Sequence, residues 1–368
     1  MKPSFHNFYS GRRIFLTGHT GFKGGWLAVW LRQLGAEVHG YSLAPPTEPN
    51  LFHAASVFSS LASDTRGDLA NLPWLRSALA CISPEIVFHL AAQPLVLESY
   101  RDPLTTFRTN ILGTANLLEA IRAVPSVRAV VLVTTDKVYA NYERNEAHKE
   151  TDPLGGHDPY SASKASAELV VDSYRKSFFS CLNGHSANLA TVRAGNAIGG
   201  GDWGADRLIP NCVRAFLAGR NINIRTVSSW AVRPWQHVLE PLSGYLELAK
   251  RLYSSPEGVR YAKAWNFGPQ AGADCRGITV AEVAEAAARL WGGGVGVSYF
   301  PPAAHPYETG FLCLDSTLAR EELGWGPRWE LPEALKRTVS WYKDWQQGKD
   351  MREVTLRQIR EYEKASGR

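Results

Sequence analysis

The chain has no long hydrophobic run. Of its 368 residues 45% are hydrophobic and 20% charged, yet no apolar stretch reaches the ~18 to 20 residues needed to cross a bilayer. The first eight residues also lack the apolar block of a secretory signal peptide. We therefore expect a cytoplasmic protein that has no membrane partner.

Cysteine is scarce, and the five cysteines are scattered, without a Cys-x-x-Cys pair. An odd, widely spaced set predicts neither a disulfide framework nor a zinc site. We expect ordinary reduced thiols and no metal centre. The residues concerned are Cys81, Cys181, Cys212, Cys275 and Cys313.

A strong excess of one charge sign is also absent, since 40 Lys and Arg stand against 35 Asp and Glu, a net charge of +5. The basic residues are spread along the chain, which argues against nucleic acid as the main partner. Such a mild positive charge is compatible with an anionic small-molecule substrate.

The first half of the chain alternates short apolar strands with helix-period segments. Predicted strands cover residues 14–17, 37–41, 86–90, 130–133 and 189–192, and predicted helices cover residues 26–34, 109–124 and 160–178. This alternation predicts a parallel sheet covered by helices on both faces. The expected fold is therefore α/β, with a doubly wound sheet of the Rossmann type.

The pattern changes after residue 193, where glycine and proline become more frequent. Residues 265–268 predict a strand that returns to the main sheet; two helices are predicted at 280–291 and 331–345, before a charged tail expected to be frayed. We predict a dinucleotide-binding domain at residues 1–190, with a return near 235–268. Residues 191–234 and 269–368 would form a smaller mixed α/β substrate lobe.

A glycine-rich loop, residues 17–25, follows the first predicted strand and leads directly into a helix. Gly18, Gly21 and Gly24 lack Cβ atoms, so the backbone can turn tightly and approach a pyrophosphate at the positive helix N-terminus. Strand, loop and helix in this order are the context that a dinucleotide-binding fingerprint requires. The loop therefore predicts a bound dinucleotide.

The residues around the second predicted strand bear on which dinucleotide binds. Residues 40–44, at its end, contain neither a carboxylate for the adenosine ribose nor an arginine cluster for a 2′-phosphate. NAD is therefore preferred over NADP. Asp68 is either a contact for the adenine edge or an ordinary loop aspartate, and the sequence favours neither.

Two groups of residues predict acid/base chemistry. Tyr160 and Lys164 stand one helical turn apart and share a face. A nearby ammonium lowers a tyrosine pKa from its usual value of about 10, so Tyr160 could exchange a proton with a sugar hydroxyl during hydride transfer. Thr135, Asp136 and Lys137 follow a predicted parallel strand, at the edge that faces the ligand crevice.

Together these motifs resemble the extended short-chain dehydrogenase/reductase family and, within it, the CDP-glucose 4,6-dehydratases. The resemblance covers nearly the whole chain. Its most specific segments are residues 17–24, 89–94, 135–137, 158–161, 192–203 and 233–241.

The resemblance implies NAD as cofactor, CDP-glucose as substrate, and a set of residues that contact each. The implied cofactor contacts are Gly18, Thr20, Gly21, Phe22, Lys23, Gly24, Asp68, Leu69, Ala91, Ala92, Thr109, Tyr160 and Lys164. The implied substrate contacts are Gln93, Arg193, Asn196, Arg207, Arg233 and His237. The arginines would pair with the diphosphate, whereas His237 could equally hold the fold of its own loop.

The implied reaction is a redox-neutral elimination of water. Tyr160, helped by Thr135, would take the proton of the glucose 4-hydroxyl while a hydride passes from C4 to NAD, whose nicotinamide ribose Lys164 would hold. Asp136 would protonate the departing 6-hydroxyl, and the hydride would return to C6. The product would be CDP-4-dehydro-6-deoxy-D-glucose, a precursor of deoxy-sugars in cell-surface polysaccharide.

Three features complicate this resemblance. Lys137 occupies the position where most nucleotide-sugar 4,6-dehydratases have a glutamate base; it would be a base only with a depressed pKa, and we favour stabilisation of the C5 enolate. Leu97 stands where relatives tend to carry arginine. We expect His19 and Lys23 in the glycine loop to crowd the cofactor phosphates with polar side chains, which predicts that NAD is held loosely.

Alternative functions share much of this pattern. A nucleotide-sugar 4-epimerase has the same fold, cofactor and Tyr-Lys pair but needs no acid at the 6-hydroxyl, so Asp136 argues against it. The other two alternatives are a 4,6-dehydratase acting on another nucleotide hexose and a catalytically silent dinucleotide-binding regulator. The helices at 109–124 and 160–178 resemble those that pair across a two-fold axis in this family. We therefore expect a homodimer, and a tetramer is the alternative.

Overall fold

A computed structural model of the chain describes residues 5–141, 146–179, 185–254, 257–269, 277–301 and 309–365. Its centre is a seven-stranded sheet in the order β11-β6-β5-β4-β1-β2-β3, with every pair parallel. These strands are β1 (Arg13–Thr17), β2 (Glu37–Ser42), β3 (Ser63–Arg66), β4 (Ile86–His89), β5 (Ala129–Val133), β6 (Asn188–Ala194) and β11 (Ala264–Phe267).

Short strands pair outside the main sheet, in the second half of the chain. β7 pairs with β10, β9 with β12 and β8 with β13. Their bounds are β7 (Ala197–Ile198), β8 (Ile222–Arg225), β9 (Val232–Arg233), β10 (Gln236–His237), β12 (Ile278–Thr279) and β13 (Val297–Phe300).

Helices cover both faces of the sheet. In the first half they are α1 (Phe5–Tyr9), α2 (Phe22–Gln33), α3 (Leu51–Ala54), α4 (Leu72–Ile82), α5 (Val96–Arg101), α6 (Pro103–Phe107), α7 (Gly113–Ile121) and α8 (Pro159–Ser177). In the second half they are α9 (Leu208–Leu217), α10 (Thr226–Ser229), α11 (Leu239–Tyr253), α12 (Val280–Trp291), α13 (Leu331–Gln346) and α14 (Met351–Lys364). A π-helical segment, Arg108–Leu112, leads into α7.

The alternation of side chains along β1 divides the core into two layers, because successive residues of a strand point to opposite faces. Ile14 and Leu16 belong to a buried cluster with Trp26 of α2. Phe15 belongs to a second cluster with Leu75 of α4. Every residue of β4, β5 and β6 is buried, as expected for a parallel sheet covered on both sides.

The structure confirms the predicted α/β fold with a doubly wound parallel sheet. The segment at 265–268 does return to the sheet, where β11 pairs with β6. The expectation of a frayed C-terminal tail was wrong, because α14 buries Ile359 and Tyr362 completely and Glu363 accepts a hydrogen bond from Trp30 Nε1 at 2.8 Å. The division of the chain near residue 190 stays a prediction.

Among the residues described, no helix combines the length and hydrophobicity that crossing a bilayer requires. In the same part of the chain, no group of three or more His, Cys, Asp or Glu is arranged to hold a metal ion. Cys81, Cys212 and Cys313 are free thiols, while Cys181 and Cys275 lie outside the described residues.

Candidate functional site

The loop between β1 and α2 has a shape that depends on glycine. Gly18 adopts a φ of +78°, and a Cβ there would lie 2.6 Å from Ala91 N. A Cβ on Gly24 would overlap the carbonyl oxygen of Gly18. Gly21 precedes α2 as its N-cap without a capping side chain, so the first N–H groups of this helix can bind an anion.

Polar groups at the ends of β1 and β2 surround this loop. Thr17 Oγ1 accepts a hydrogen bond from Ala91 N at 3.2 Å, which holds the end of β4 against the loop. Thr20 Oγ1 lies 2.7 Å from Ser42 Oγ and donates to Leu43 O at 3.1 Å. The cradle bounded by these residues fits the pyrophosphate and adenosine of a dinucleotide.

The histidine of the loop faces the sheet. His19 is fully buried, its Nε2 lies 2.9 Å from Asp64 Oδ1, and a Cβ on Gly40 would lie 2.5 Å from its Nδ1. Burial lowers the pKa of His19, although Asp64 opposes the shift. The expectation that His19 crowds the cofactor phosphates does not fit this position, because its ring packs against Gly40 of β2.

The other unusual loop residue, Lys23, has a partly exposed side chain. Burial and the charge of Arg207 lower the pKa of Lys23 to about 8, whereas Asp136 and Asp202 oppose the shift. Lys23 is therefore electrostatically linked to the predicted acid, Asp136. Its phosphate contact stays a prediction.

The remaining predicted cofactor residues lie near the ends of β3 and α7. Asp68 is exposed and its Oδ1 accepts a hydrogen bond from Ala70 N at 2.9 Å, so both interpretations of this residue stay open. Leu69 is buried, and its carbonyl oxygen accepts from Asn116 Nδ2 at 2.9 Å. Thr109 belongs to the π-helical segment that precedes α7.

The start of α8 fixes the Tyr-Lys pair. Asp158 caps the helix by accepting hydrogen bonds from Ser161 N at 2.9 Å and Ser161 Oγ at 2.6 Å, and Pro159 occupies its first turn. Tyr160 N donates to Ser99 Oγ at 3.1 Å. Lys164 Nζ, one turn later, donates to Val133 O at the end of β5, at 3.0 Å.

Burial dominates the acid/base properties of this pair. It raises the pKa of Tyr160 to about 12, and a hydrogen bond with Thr135 and the charge of Arg207 oppose that rise. Burial and the charge of Lys23 lower the pKa of Lys164 to about 8. Thr135 and Arg207 are thus the neighbours that favour a Tyr160 phenolate most.

The turn after β5 holds the predicted acid. Thr135 Oγ1 donates to Asp136 Oδ1 at 3.0 Å and accepts from Lys137 N at 3.4 Å. Asp136 is buried, which raises its pKa despite the positive charges of Lys137 and Arg233. Lys137 lines a pocket together with Ser161. A carboxyl with a raised pKa can hold a proton for donation.

Two of the predicted substrate arginines adjoin these groups. Arg207 donates two hydrogen bonds to Asp202, at 3.0 and 3.1 Å, and its charge opposes the rise in the pKa of Tyr160. Arg233 is buried, and its charge opposes the rise in the pKa of Asp136.

The other predicted substrate residues lie differently. Arg193 and His237 are both buried: Arg193 forms an ion pair with Glu168, and the ring of His237 packs against Trp26 and Trp329. Their contacts with substrate stay predictions. Burial and the charge of Arg337 lower the pKa of His237 to about 3, so it is neutral.

Gln93 and Asn196 lie in loops at the ends of strands. Gln93 Nε2 donates to Thr106 Oγ1 at 2.9 Å, which ties its side chain to α6. Asn196 is partly exposed and its carbonyl oxygen accepts from Gln236 N at 3.0 Å. Their contacts with substrate stay predictions.

Sequence reasoning missed Glu168. It lies on α8 one turn beyond Lys164, and its carboxylate pairs with Arg193. The signal available was its spacing of four residues from Lys164, which places both side chains on one face of the helix.

Comparison with known proteins places the chain among nucleotide-sugar dehydratases. The model of the GDP-mannose 4,6 dehydratase family matches residues 15–338. CDP-glucose 4,6-dehydratase of Salmonella typhimurium is 46% identical over 364 residues, 98% of this chain and 99% of that protein. A dTDP-glucose 4,6-dehydratase of Streptomyces antibioticus is 30% identical over 90% of this chain and 92% of its own.

The fold has close counterparts among solved structures. The dTDP-glucose 4,6-dehydratase of Bacillus anthracis, solved in complex with NAD, superposes with a TM-score of 0.74 at 22% identity, over 92% of this chain and 99% of that one. The family match covers most of the chain. The chain therefore belongs to the GDP-mannose 4,6 dehydratase family, a family of nucleotide-sugar 4,6-dehydratases.

Proposed function

We propose that this chain converts CDP-D-glucose into CDP-4-dehydro-6-deoxy-D-glucose with NAD as its cofactor. The observation that carries the proposal is the group of Thr135, Asp136 and Tyr160 beside the end of β5, in which Thr135 Oγ1 donates a hydrogen bond to Asp136 Oδ1 and Thr135 favours the Tyr160 phenolate. It offers a proton acceptor for one sugar hydroxyl beside a proton donor for another. The 46% identity to a CDP-glucose 4,6-dehydratase over nearly the whole chain supports the choice of substrate.

NAD fits the cradle at the end of β1. Its pyrophosphate would lie on the backbone of Gly18, Gly21 and Gly24, where a Cβ on Gly18 or Gly24 would clash. When bound, NAD accepts a hydride from the sugar and returns it within the same turnover. Lys164, anchored on Val133 O, would donate a hydrogen bond to the nicotinamide ribose.

Tyr160 would take the proton of the 4-hydroxyl. It would do so as a phenolate. Because burial raises the pKa of Tyr160 to about 12, the phenol must first release its own proton to solvent, and Thr135 and the positive charge of Arg207 favour that ionisation.

Asp136 would protonate the departing 6-hydroxyl. Oδ1 is held by Thr135, whereas Oδ2 is buried and has no hydrogen-bond partner among the described residues. Burial raises the pKa of Asp136, which favours its protonated form and suits the carboxyl to donate a proton. An acid placed beside the sugar favours dehydration over simple epimerisation.

Lys137 follows directly and lines a pocket with Ser161 and Tyr139. We assign its ammonium to stabilising the enolate that forms when the 4-ketone acidifies the C5 proton and a base other than Lys137 removes that proton. A positive charge aimed at developing negative charge is the kind of interaction that lowers such a barrier.

The substrate diphosphate would pair with Arg207 and Arg233. Both belong to the segment 191–234, which together with residues 269–368 would form the nucleotide-sugar lobe. Arg207 already engages Asp202, so the diphosphate would have to share or replace that carboxylate.

We also propose a homodimer, in the cytoplasm, that supplies deoxy-sugars for cell-surface polysaccharide. Leu104 of α6, Leu112 of the π-helical segment and Leu169 of α8 are 78%, 59% and 62% exposed. These segments pack side by side on one surface. Exposed leucines on neighbouring helices favour a helical interface between two copies.

The test is incubation with NAD and, separately, CDP-glucose, dTDP-glucose, UDP-glucose and GDP-mannose, followed by product mass. We expect one water to be lost from CDP-glucose without net formation of NADH. An unchanged mass with a changed sugar configuration would instead identify a 4-epimerase. Water loss from another nucleotide sugar alone would reassign the substrate.

A further inference from the structure

Glu168 is the centre of a buried polar group between α8 and the sheet. Its carboxylate accepts hydrogen bonds from Thr134 Oγ1 and Thr191 Oγ1, both at 2.6 Å. It also accepts from Arg193 Nε at 3.0 Å and Arg193 Nη2 at 3.1 Å. The side chains of Glu168 and Arg193 are each only 4% exposed, so the pair is almost completely removed from solvent.

Arg193 extends this group towards the turn after β5. Its Nη1 donates to Tyr139 Oη at 3.0 Å and to Glu150 O at 3.1 Å. Tyr139 Oη in turn donates to Asn266 Oδ1 at 2.6 Å. The guanidinium carbon also lies 4.9 Å from the centre of the Tyr139 ring. Tyr139 is thereby fixed by three contacts.

These contacts connect the two segments that carry the proposed chemistry. Glu168 lies one helical turn beyond Lys164, on the helix that also carries Tyr160. Thr134 and Tyr139 flank the turn that contains Asp136 and Lys137. The buried pair therefore joins α8 to both ends of that turn.

We propose that Glu168 and Arg193 are positioning residues: their ion pair holds the helix of Tyr160 and Lys164 in register with the turn of Asp136. The proposal rests on the proposed function, because it assigns these residues a task in that reaction. Neither residue would touch the sugar or the cofactor.

Electrostatics adds a pH signature to this proposal. Burial and the charge of Lys23 in the glycine loop lower the pKa of Lys164 to about 8, and the charge of Glu168 opposes both. His89, at the end of β4, is neutral, because burial and the charge of Lys164 lower its pKa to about 3. Removing the charge of Glu168 would therefore let Lys164 lose its proton at a lower pH.

Arg193 depends on the same carboxylate. Burial alone would lower the pKa of Arg193, but the charge and hydrogen bonds of Glu168 outweigh it and raise that pKa. The pKa of Arg175, on α8, is likewise raised by the charge of Glu168 and lowered by the charge of Arg193. Burying an ion pair of this kind costs desolvation energy. A role in positioning would explain why the pair is present despite that cost.

The test compares Glu168→Gln with Asp172→Asn across a range of pH. Glutamine keeps the shape and one of the two acceptor oxygens of Glu168 but removes the charge. Asp172 lies one turn further along the same helix and pairs with Arg175 and Lys176, so its replacement controls for loss of a carboxylate. We expect kcat of Glu168→Gln to fall about tenfold or more, with its alkaline limb moved to lower pH. KM for CDP-glucose and the profile of Asp172→Asn should change little.

A double variant, Glu168→Gln with Arg193→Met, guards against a trivial loss of folding, because it leaves no unpaired buried charge. Thermal unfolding should show it folded, while its alkaline limb should stay shifted. An unshifted alkaline limb in both variants, or a loss of kcat that follows only the folded fraction, would overturn the proposal. Absence of product from the unsubstituted protein would instead be a failure of the proposed function.

Discussion

Thr135 Oγ1 donates a hydrogen bond to Asp136 Oδ1 at 3.0 Å, and Thr135 also opposes the rise that burial causes in the pKa of Tyr160. One threonine thus acts on both the proposed base and the proposed acid. Asp136 Oδ2 lacks a partner among the described residues and is the oxygen that can meet the sugar. This arrangement lets the two proton transfers of the proposed reaction be tested separately.

Asp136→Asn should separate oxidation from elimination. Asparagine cannot donate the proton that the 6-hydroxyl needs, so water loss should slow by about 10²- to 10⁴-fold, whereas proton removal at the 4-hydroxyl relies on Tyr160 and should continue. A single turnover should therefore accumulate the absorbance of reduced nicotinamide with no lighter product. Water loss at the unsubstituted rate would remove Asp136 from its assigned role.

Lys137→Ala should affect the chemistry at C5. The variant is expected to reduce NAD with CDP-glucose but to lose exchange of the C5 hydrogen with solvent, because no ammonium stabilises the enolate. Incubation in deuterated water followed by mass spectrometry of the recovered sugar measures this exchange. Exchange equal to that of the unsubstituted protein would exclude a direct role of Lys137 at C5.

Two glycines of the loop should respond differently to alanine. A Cβ on Gly24 would overlap Gly18 O, whereas a Cβ on Gly21 would lie 3.4 Å from the same atom, an ordinary contact. Gly24→Ala should therefore lower both thermal stability and NAD affinity. Gly21→Ala should keep the stability and weaken NAD binding, measured by calorimetry, because the added methyl group meets the pyrophosphate. Unaltered NAD affinity in Gly21→Ala would move the pyrophosphate away from this residue.

Glu240 should make the protein less stable as the pH rises. It is completely buried at the start of α11, and burial raises its pKa to about 7, although Tyr362 Oη, Trp329 N and Arg328 N donate hydrogen bonds to it. Between its ordinary pKa of 4.5 and about 7 the unfolded chain ionises while the folded chain keeps its proton, so stability falls by up to about 3 kcal/mol.

Denaturant titrations at several pH values measure this loss. Glu240→Gln should flatten the decline in the free energy of unfolding between pH 4.5 and 7, because glutamine does not ionise. A decline of the same size in the variant would assign it to other groups.

The parts of the fold that the sequence predicted are those with an unambiguous local pattern. Strands β1, β4 and β5 are short apolar runs, and every residue of β4 and β5 is buried. β3, with the sequence Ser-Asp-Thr-Arg, was missed because it lies at the edge of the sheet and alternates between partly buried and exposed residues. None of its four residues is apolar, so no hydrophobic pattern in the sequence marks it as a strand.

The C-terminal helix α14 was missed for a different reason. Its many charges suggested a frayed tail, yet Val354, Ile359 and Tyr362 lie on its buried side. Tyr362 Oη donates to Glu240 Oε2 at 2.7 Å, a contact between residues 122 positions apart. Such long-range pairing leaves no mark in a local sequence window.

The candidate site, like the fold, was predicted from the sequence only in part. Motifs with fixed spacing identified Tyr160, Lys164 and the glycine loop. Arg193 carries the charge that a diphosphate requires, but its neighbour across the sheet is Asn266 and its ion-pair partner is Glu168. Which partners each arginine meets depends on the face of its strand and on the packing of α8, and composition alone does not contain that information.

The most direct test of the central claim follows the hydrogen at C4. CDP-glucose carrying deuterium at C4 should give a product one water lighter in which the deuterium is found on C6, because the hydride removed at C4 returns within the same active site. Mass spectrometry and NMR of the product determine both. A product that has lost water without deuterium at C6, or a sugar of unchanged mass, would contradict the proposed elimination.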